Sequence, residues 1–216
     1  VILRGNSRRV LFDQLKGDPY FLKRIPQGLV NNFIDIGSNV GFISMFIRFL
    51  HPYSNILSVE PHPVIYNQLN ENVKNLKINS LNCALGDGSD FYLFSERKMD
   101  LCNLFSSEKK NSNLTVKSMT LNNIFKFSNF DLDDVYLKID CEGAETILMY
   151  NEESENILRK CKFVSMELHN KDKNKGTIEE LIEWFQNLLM KTHTIHIKKN
   201  SGLAANVLSI RKDIYL

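Results

Sequence analysis

The segment Phe33-Ile34-Asp35-Ile36-Gly37-Ser38-Asn39-Val40-Gly41 constrains this chain more than any other. A short apolar run, Asn32–Ile36, delivers the chain to a glycine, and an apolar helical run, Gly41–Leu50, opens almost at once. A strand that turns directly into a helix is the start of a β-α unit, which builds parallel sheets. Glycine at 37 lets backbone approach a ligand with no Cβ in the way, and Gly41 lets the new helix pack closely. The free N–H groups at the helix start favour a carboxylate or a phosphate.

The pattern repeats along the chain. Ile56–Glu60 reads as a second strand stopped by Pro61, and Pro63–Leu76 carries Ile65, Leu69, Val73 and Leu76 at helical spacing. Ile78–Leu85 reads as a third strand. Phe91–Phe94 and Thr115–Met119 suit an antiparallel pair, and the polar, aperiodic Glu96–Asn113 between them suits a lid. Val135–Ile139 and Phe163–Leu168 are further strands, ending near Asp140 and His169. Ala144–Tyr150 opens a helix, and Thr177–Lys191 is another, with Leu181, Ile182, Phe185, Leu188 and Leu189 on one face. Thr194–Lys198 and Asn206–Arg211 flank Asn200-Ser201-Gly202, a turn signal that predicts a terminal hairpin. The expected fold is an α/β three-layer sandwich: a mostly parallel seven-stranded sheet with an antiparallel C-terminal hairpin. One domain is expected over 1–216. Its first thirty residues, with Leu11, Phe12 and Leu15, form a helical edge segment, and 31–216 is the Rossmann-like core.

Composition excludes several classes. Of 216 residues, 43% are hydrophobic and 24% charged, ordinary for a globular domain. No run nears the roughly 18 apolar residues of a membrane span, and no signal peptide is evident, so a cytoplasmic protein with no membrane partner is expected. The net charge of +2 is too mild to argue for nucleic acid. Cys83, Cys102, Cys141 and Cys161 form no C-x-x-C pair, so buried reduced thiols are expected in place of a zinc site.

Two ligand classes use a glycine turn of this kind. Dinucleotides use G-x-G-x-x-G, but Asn39 stands here where the second glycine would be. S-adenosylmethionine carries a carboxylate, an ammonium and a sulfonium. Asp35, just before the turn, suits such a cation and repels a pyrophosphate. Glu60 at the tip of the second strand is placed for ribose hydroxyls. His62, beside it, reads as a turn residue.

Three segments, Phe33–Gly41 (FIDIGSNVG), Leu137–Glu145 (LKIDCEGAE) and Met166–His169 (MELH), together resemble the FkbM family of methyltransferases, a branch of the class I fold. Val59-Glu60-Pro61, Asn82 to Asp87 and Met119-Thr120-Leu121 extend the resemblance over residues 30–211. Asn122, where the family often has Asp, and Cys141, where Val is usual, depart from it. The resemblance implies S-adenosylmethionine as cofactor and methyl transfer to a hydroxyl of a small molecule, sugar or glycan. It implies that Asp35, Gly37, Ser38, Asn39, Gly41, Glu60 and Pro61 bind the cofactor, with Asn82 and Ala84 near the adenine and Asp140 near the methionine end.

Methyl transfer to a hydroxyl needs alignment and a base to take the proton. Histidine has the unperturbed pKa nearest neutrality, so His169 is the expected base, oriented by Glu167 or Asp140. Asp140, Glu142, Glu167 and His169 also suit a magnesium ion, but no metal is assigned. Glu145 is expected to stabilise its helix's first turn. The rival readings are an RNA methyltransferase, for which Lys109-Lys110, Lys171, Lys173, Lys175 and Lys198-Lys199 would be the basic face, a non-catalytic S-adenosylmethionine-binding module, and a nicotinamide enzyme. The oligomeric state is not legible.

Overall fold

The strand-turn-helix unit expected around Gly37 is present, and it lies at the centre of the sheet. The computed structural model describes residues 17–89, 91–94, 104–106, 114–169, 177–201 and 204–214. In chain order these form β1 (Asn32–Ile36), α1 (Phe42–Leu50), β2 (Asn55–Val59), α2 (Pro63–Val73), β3 (Asn79–Leu81), β4 (Ala84–Leu85), β5 (Phe91–Phe94), β6 (Leu104–Ser106), β7 (Leu114–Val116), β8 (Ser118–Met119), α3 (Leu121–Ser128), β9 (Val135–Ile139), α4 (Glu152–Lys160), β10 (Phe163–His169), α5 (Ile178–Leu189), β11 (His193–Ser201) and β12 (Ala204–Arg211). One seven-stranded sheet runs in the order β11-β12-β10-β9-β1-β2-β3. Its pairs from β3 to β10 are parallel. β12 is antiparallel to both β10 and β11, which is the expected hairpin.

Strand register decides what each face carries. Phe33, Ile56, Tyr136 and Phe163 lie side by side on one face, one step from Asp35, Ser58, Lys138 and Ser165. The aromatic members stack, with ring centroids 5.5 Å apart for Phe33–Tyr136 and 5.7 Å for Tyr136–Phe163. Ile43 and Ile47 of α1, Leu69 and Val73 of α2, and Tyr20, Leu22, Ile25 and Val30 cover this face. The opposite face, with Ile34, Ile36, Leu57, Leu137, Ile139 and Met166, packs against α3, α4 and α5. A sheet buried on both faces explains its near-continuous apolar strands. Among the described residues no helix is long and apolar enough to cross a membrane.

Several boundaries differ from expectation. The third strand splits: Asn82 Nδ2 donates to the carbonyls of Glu60 and Pro61, at 2.7 and 3.0 Å, and the chain leaves the sheet there. β4 then pairs in parallel with β8. β5 pairs antiparallel with β7 and with β6, so the second half of the expected Thr115–Met119 strand serves a different sheet. Apart from β6, the Glu96–Asn113 segment lies outside the described residues, as do Leu11, Phe12 and Leu15 and the lysines at 109, 110, 171, 173 and 175. Ala144–Leu148 is a 3-10 turn; Tyr150, at φ 57°, breaks the helix, and Asn151 caps α4 by accepting from Ser154 N. α3, which the sequence reading lacked, is capped by Thr120, whose side chain accepts from Asn123 N. Residues 22–24 form a 3-10 turn, and Tyr20, Leu22, Ile25 and Val30 are buried in the core, while Lys23, Arg24, Pro26, Gln27 and Gly28 are exposed.

Candidate active site

The turn after β1 is pinned by hydrogen bonds to the tip of β2. Gly37 N and Ser38 N donate to the Val59 carbonyl at 2.9 and 3.0 Å, and Ser38 Oγ joins them at 3.1 Å. Asn39 adopts φ 52°, a conformation that asparagine tolerates better than most residues. Its N–H donates to Glu60 Oε2 at 3.0 Å, and His62 N donates to Glu60 Oε1 at 2.9 Å. Burial raises the Glu60 carboxyl to about 7 against the pull of these two N–H donors. His62 is a turn residue, as expected: it caps α2 by accepting from Val64 N. Glu60, Pro61 and Asn82 thus meet the glycine turn in one place. Ala84 is nearby in sequence and buried, and its N–H donates to the Lys117 carbonyl at 2.9 Å.

Both glycines have close protein neighbours. Gly37 has φ +76°, and a Cβ there would lie 1.8 Å from the Asp140 carbonyl oxygen. The close approach is to the loop after β9. Gly41 has φ +91°, and a Cβ would meet Leu69 Cδ1 at 2.7 Å, so it accommodates α2, not β1.

Asp35 is closed off from the surface. It is fully buried; Ser44 Oγ donates to its Oδ2 at 2.6 Å, and Ser58 Oγ donates to Ser44 Oγ at 2.6 Å. The Lys138 ammonium lies 3.0 Å from Asp35 Oδ1 and donates to the Gly37 carbonyl at 3.0 Å. Burial alone would lower the Lys138 pKa, but Asp35 and then Asp140 override it and hold the lysine charged. The acid before the glycine turn is thereby neutralised by a lysine that sequence reading passed over. The signal available was a lysine inside an otherwise apolar strand, VYLKI.

The second half of the site gathers at the tips of β9 and β10. Asp140 N donates to the Ile36 carbonyl at 3.1 Å, and the Asp140 carboxylate accepts from Tyr20 OH at 2.8 Å. The loop that follows carries Glu142 at φ 57° and Gly143 at φ 110°. Glu145, fully buried, holds this loop: its Oε1 accepts from Cys141 N at 2.6 Å and its Oε2 from Gly143 N at 2.9 Å. Loop closure, more than the helix dipole, is its role. His169 Nδ1 lies 3.4 Å from Glu145 Oε1, while Nε2 lies 3.7 Å from Glu142 and 3.8 Å from Glu167. Glu145 is therefore the group that orients His169, in place of the expected Glu167 or Asp140.

Burial opposes charge on His169, but the hydrogen bond to Glu145 and the fields of Glu145, Asp140 and Glu142 prevail and lift it to about 9. That is well above the neutral range expected of it. Burial raises both Asp140 and Glu167, Lys138 and His169 pulling Asp140 back and a neighbouring Asp140 pushing Glu167 further. Asp140, Glu145 and His169 offer donor atoms within 4.8 Å of one another. Within the trio His169 contacts Glu145, and each Glu145 oxygen also accepts a backbone N–H, while Asp140 is held by Tyr20. Cys83, Cys141 and Cys161 are free and buried, and burial pushes Cys83 up to about 12, so they supply no thiolate.

Comparison with known proteins follows the same lines. The methyltransferase FkbM domain profile matches residues 35–191. No curated protein matches the chain. Solved structures share the fold at low identity. Methyltransferase FkbM from Methylobacillus flagellatus KT superposes with a TM-score of 0.55 at 10% identity, over 93% of this chain and 52% of that one. A candidate rRNA methylase from Clostridium thermocellum gives 0.57 at 7% identity, over 98% of both chains. Precorrin-6y C5,15-methyltransferase from Geobacter metallireducens GS-15 gives 0.51 at 10% identity, over 92% of this chain and 88% of that one. The glycine turn, the acid at the tip of β2 and the loop after β9 all fall within the matched profile or begin it, and the chain belongs to the FkbM methyltransferase domain family, whose methyl donor is S-adenosylmethionine.

Proposed function

We propose that the chain is an O-methyltransferase that moves the methyl group of S-adenosylmethionine to a hydroxyl of a small molecule, sugar or glycan. The observation that carries this reading is the set of carboxyl groups around His169. Lys138 and Asp35 neutralise each other, which leaves Asp140, Glu142, Glu145 and Glu167 around His169. A site with that excess of carboxylate attracts a cationic cofactor and repels phosphate, so an uncharged hydroxyl is favoured over a nucleotide flanked by phosphates.

The residues present suit the cofactor. Glu60 sits against the turn with its carboxylate at the strand tip, the geometry that pairs with vicinal hydroxyls. Gly37, Ser38, Asn39 and Gly41 shape the turn, Pro61 and Asn82 border it, and in this reading Asp140 meets the methionine end. Asp35 acts through Lys138, which tethers the Gly37 carbonyl. Bound there, S-adenosylmethionine supplies a methyl group on a good leaving group. The chain's own task is alignment and proton removal. Glu145 at Nδ1 selects the tautomer that leaves Nε2 on the side of the partly exposed Glu142 and Glu167. His169 Nε2 takes the hydroxyl proton, and Asp140, Glu142 and Glu145 hold the imidazolium that results. Residues 1–216 act as one domain in this reading.

Calorimetry with S-adenosylmethionine tests the cofactor, and a screen of sugar and natural-product hydroxyls with labelled methyl donor tests the acceptor. Methylation of RNA in the same screen, with none of the hydroxyl compounds turned over, would refute the acceptor class while leaving the cofactor intact.

A further inference from the structure

Tyr20 lies upstream of the family-matched segment, and no sequence motif pointed to it. It is 1% exposed. It meets three residues that alternate along β9 and its tip. Tyr136 OH donates to the Tyr20 carbonyl, the Lys138 ammonium sits 5.2 Å from the Tyr20 ring centroid, and Tyr20 OH donates to Asp140 Oδ2 at 2.8 Å. The loop that presents Tyr20 is built in advance. Asp18 accepts from Leu22 N at 2.8 Å and from Lys23 N at 3.2 Å, and Leu22 is buried in the core beside Tyr20.

A packing role needs the ring but not the hydroxyl. A phenylalanine would fill the same space without burying a polar group, which is costly unless partnered. The hydroxyl's partner is Asp140, and among the described residues Tyr20 gives this carboxylate its hydrogen bond. Lys138 stands farther off, at 3.9 Å, and is committed to Asp35 and the Gly37 carbonyl. We propose that Tyr20 is a positioning residue: its hydroxyl holds the Asp140 carboxylate in the orientation and charge state that meet the methionine end of the cofactor. This rests on the reading that Asp140 faces that end.

The effect has a sign. Asp140 is faced by Lys138 of β9, by Asp35 through that lysine, by Glu142 and Glu145 of the segment after β9, by Glu167 and His169 on β10, and by Tyr20. Burial raises Asp140, and the Tyr20 hydrogen bond works against that. Tyr20 itself is held far above its ordinary value by burial and by Asp140, so it remains a neutral donor throughout the working range. Loss of a hydrogen bond to a charged group should move the Asp140 midpoint up by about one to two pH units.

The test is a carbon NMR titration of the Asp140 carboxyl in the full chain, assigned with Asp140→Asn. It is run alongside S-adenosylmethionine calorimetry on the acid and alkaline sides of the midpoint. In Tyr20→Phe the midpoint rises by about one to two units, and affinity falls roughly tenfold on the acid side and recovers at alkaline pH. An unchanged midpoint overturns the proposal. If the wild-type chain binds no S-adenosylmethionine, the cofactor reading fails, and the titration still decides whether Tyr20 governs Asp140. Should Tyr20→Phe not fold, 3-fluorotyrosine placed at position 20 keeps the ring and is a stronger donor. The midpoint then moves down, and no movement overturns the proposal.

Discussion

Lys138 and His169 are both buried cations, and carboxylates hold each of them in a different way. Lys138 has one close partner, Asp35, and two carbonyls; His169 has a ring of looser carboxylates. A tight pair is architecture, and a loose ring leaves a group free to exchange its proton. His169→Ala is therefore expected to keep S-adenosylmethionine affinity while turnover falls by roughly 10²–10⁴. Calorimetry and labelled-methyl transfer measure the two separately. The raised pKa has opposite consequences for stability and rate. The protonated His169 contacts stabilise the fold fully below the unfolded value of 6.5, and that stability is lost as pH rises through about 9. The melting temperature should fall across that window, and His169→Asn should flatten the fall. Turnover should rise across the same window, because only the neutral imidazole accepts a proton.

Among the elements, those built from long apolar runs were legible. β1, β2, β9 and β10 lie within about a residue of expectation; glycine stops β1, Glu60-Pro61 stops β2 and Asp140 stops β9, while β10 runs on to His169. The split of the third strand was not legible, since what ends β3 is a tertiary contact, the Asn82 amide on the carbonyls of Glu60 and Pro61. α3 was missed because eight residues carry too little periodicity, although Thr120 was a usable start signal. The two glycines of the turn separate by what their Cβ would strike. Gly37→Ala meets a fixed carbonyl at 1.8 Å, whereas Gly41→Ala meets the movable end of Leu69 at 2.7 Å. Both carry a positive φ. Denaturant titration should find Gly37→Ala the more costly, by more than about 2 kcal/mol, with Gly41→Ala nearer 1 kcal/mol.

For the molecule as a whole, the site divides along the same line as the fold. The meeting of the turn Gly37 to Gly41 with Glu60 was readable because the spacing lies along a single β-α-β stretch. The other side of the site was readable only in part. His169 and Asp140 end strands, but Tyr20, Lys138 and the clamp by Glu145 depend on which strands become neighbours. The early segment is integral to both. Tyr20, Leu22 and Ile25 are buried against β1, β9 and β10. At about 1.5–3 kcal/mol for each buried side chain, they rival a typical net stability of about 5–15 kcal/mol. A chain beginning after Val30 should lose cooperative thermal unfolding, which calorimetric melting would reveal.

The contact between Gly37 and the Asp140 carbonyl has a mechanical consequence. At Gly37 main chain faces main chain, with no room for a Cβ before the Asp140 carbonyl. A displacement of one is handed to the other as a displacement of main chain. A ligand that displaced either loop would thereby affect the other, and by thermodynamic reciprocity any coupling between two ligands there is returned in equal measure.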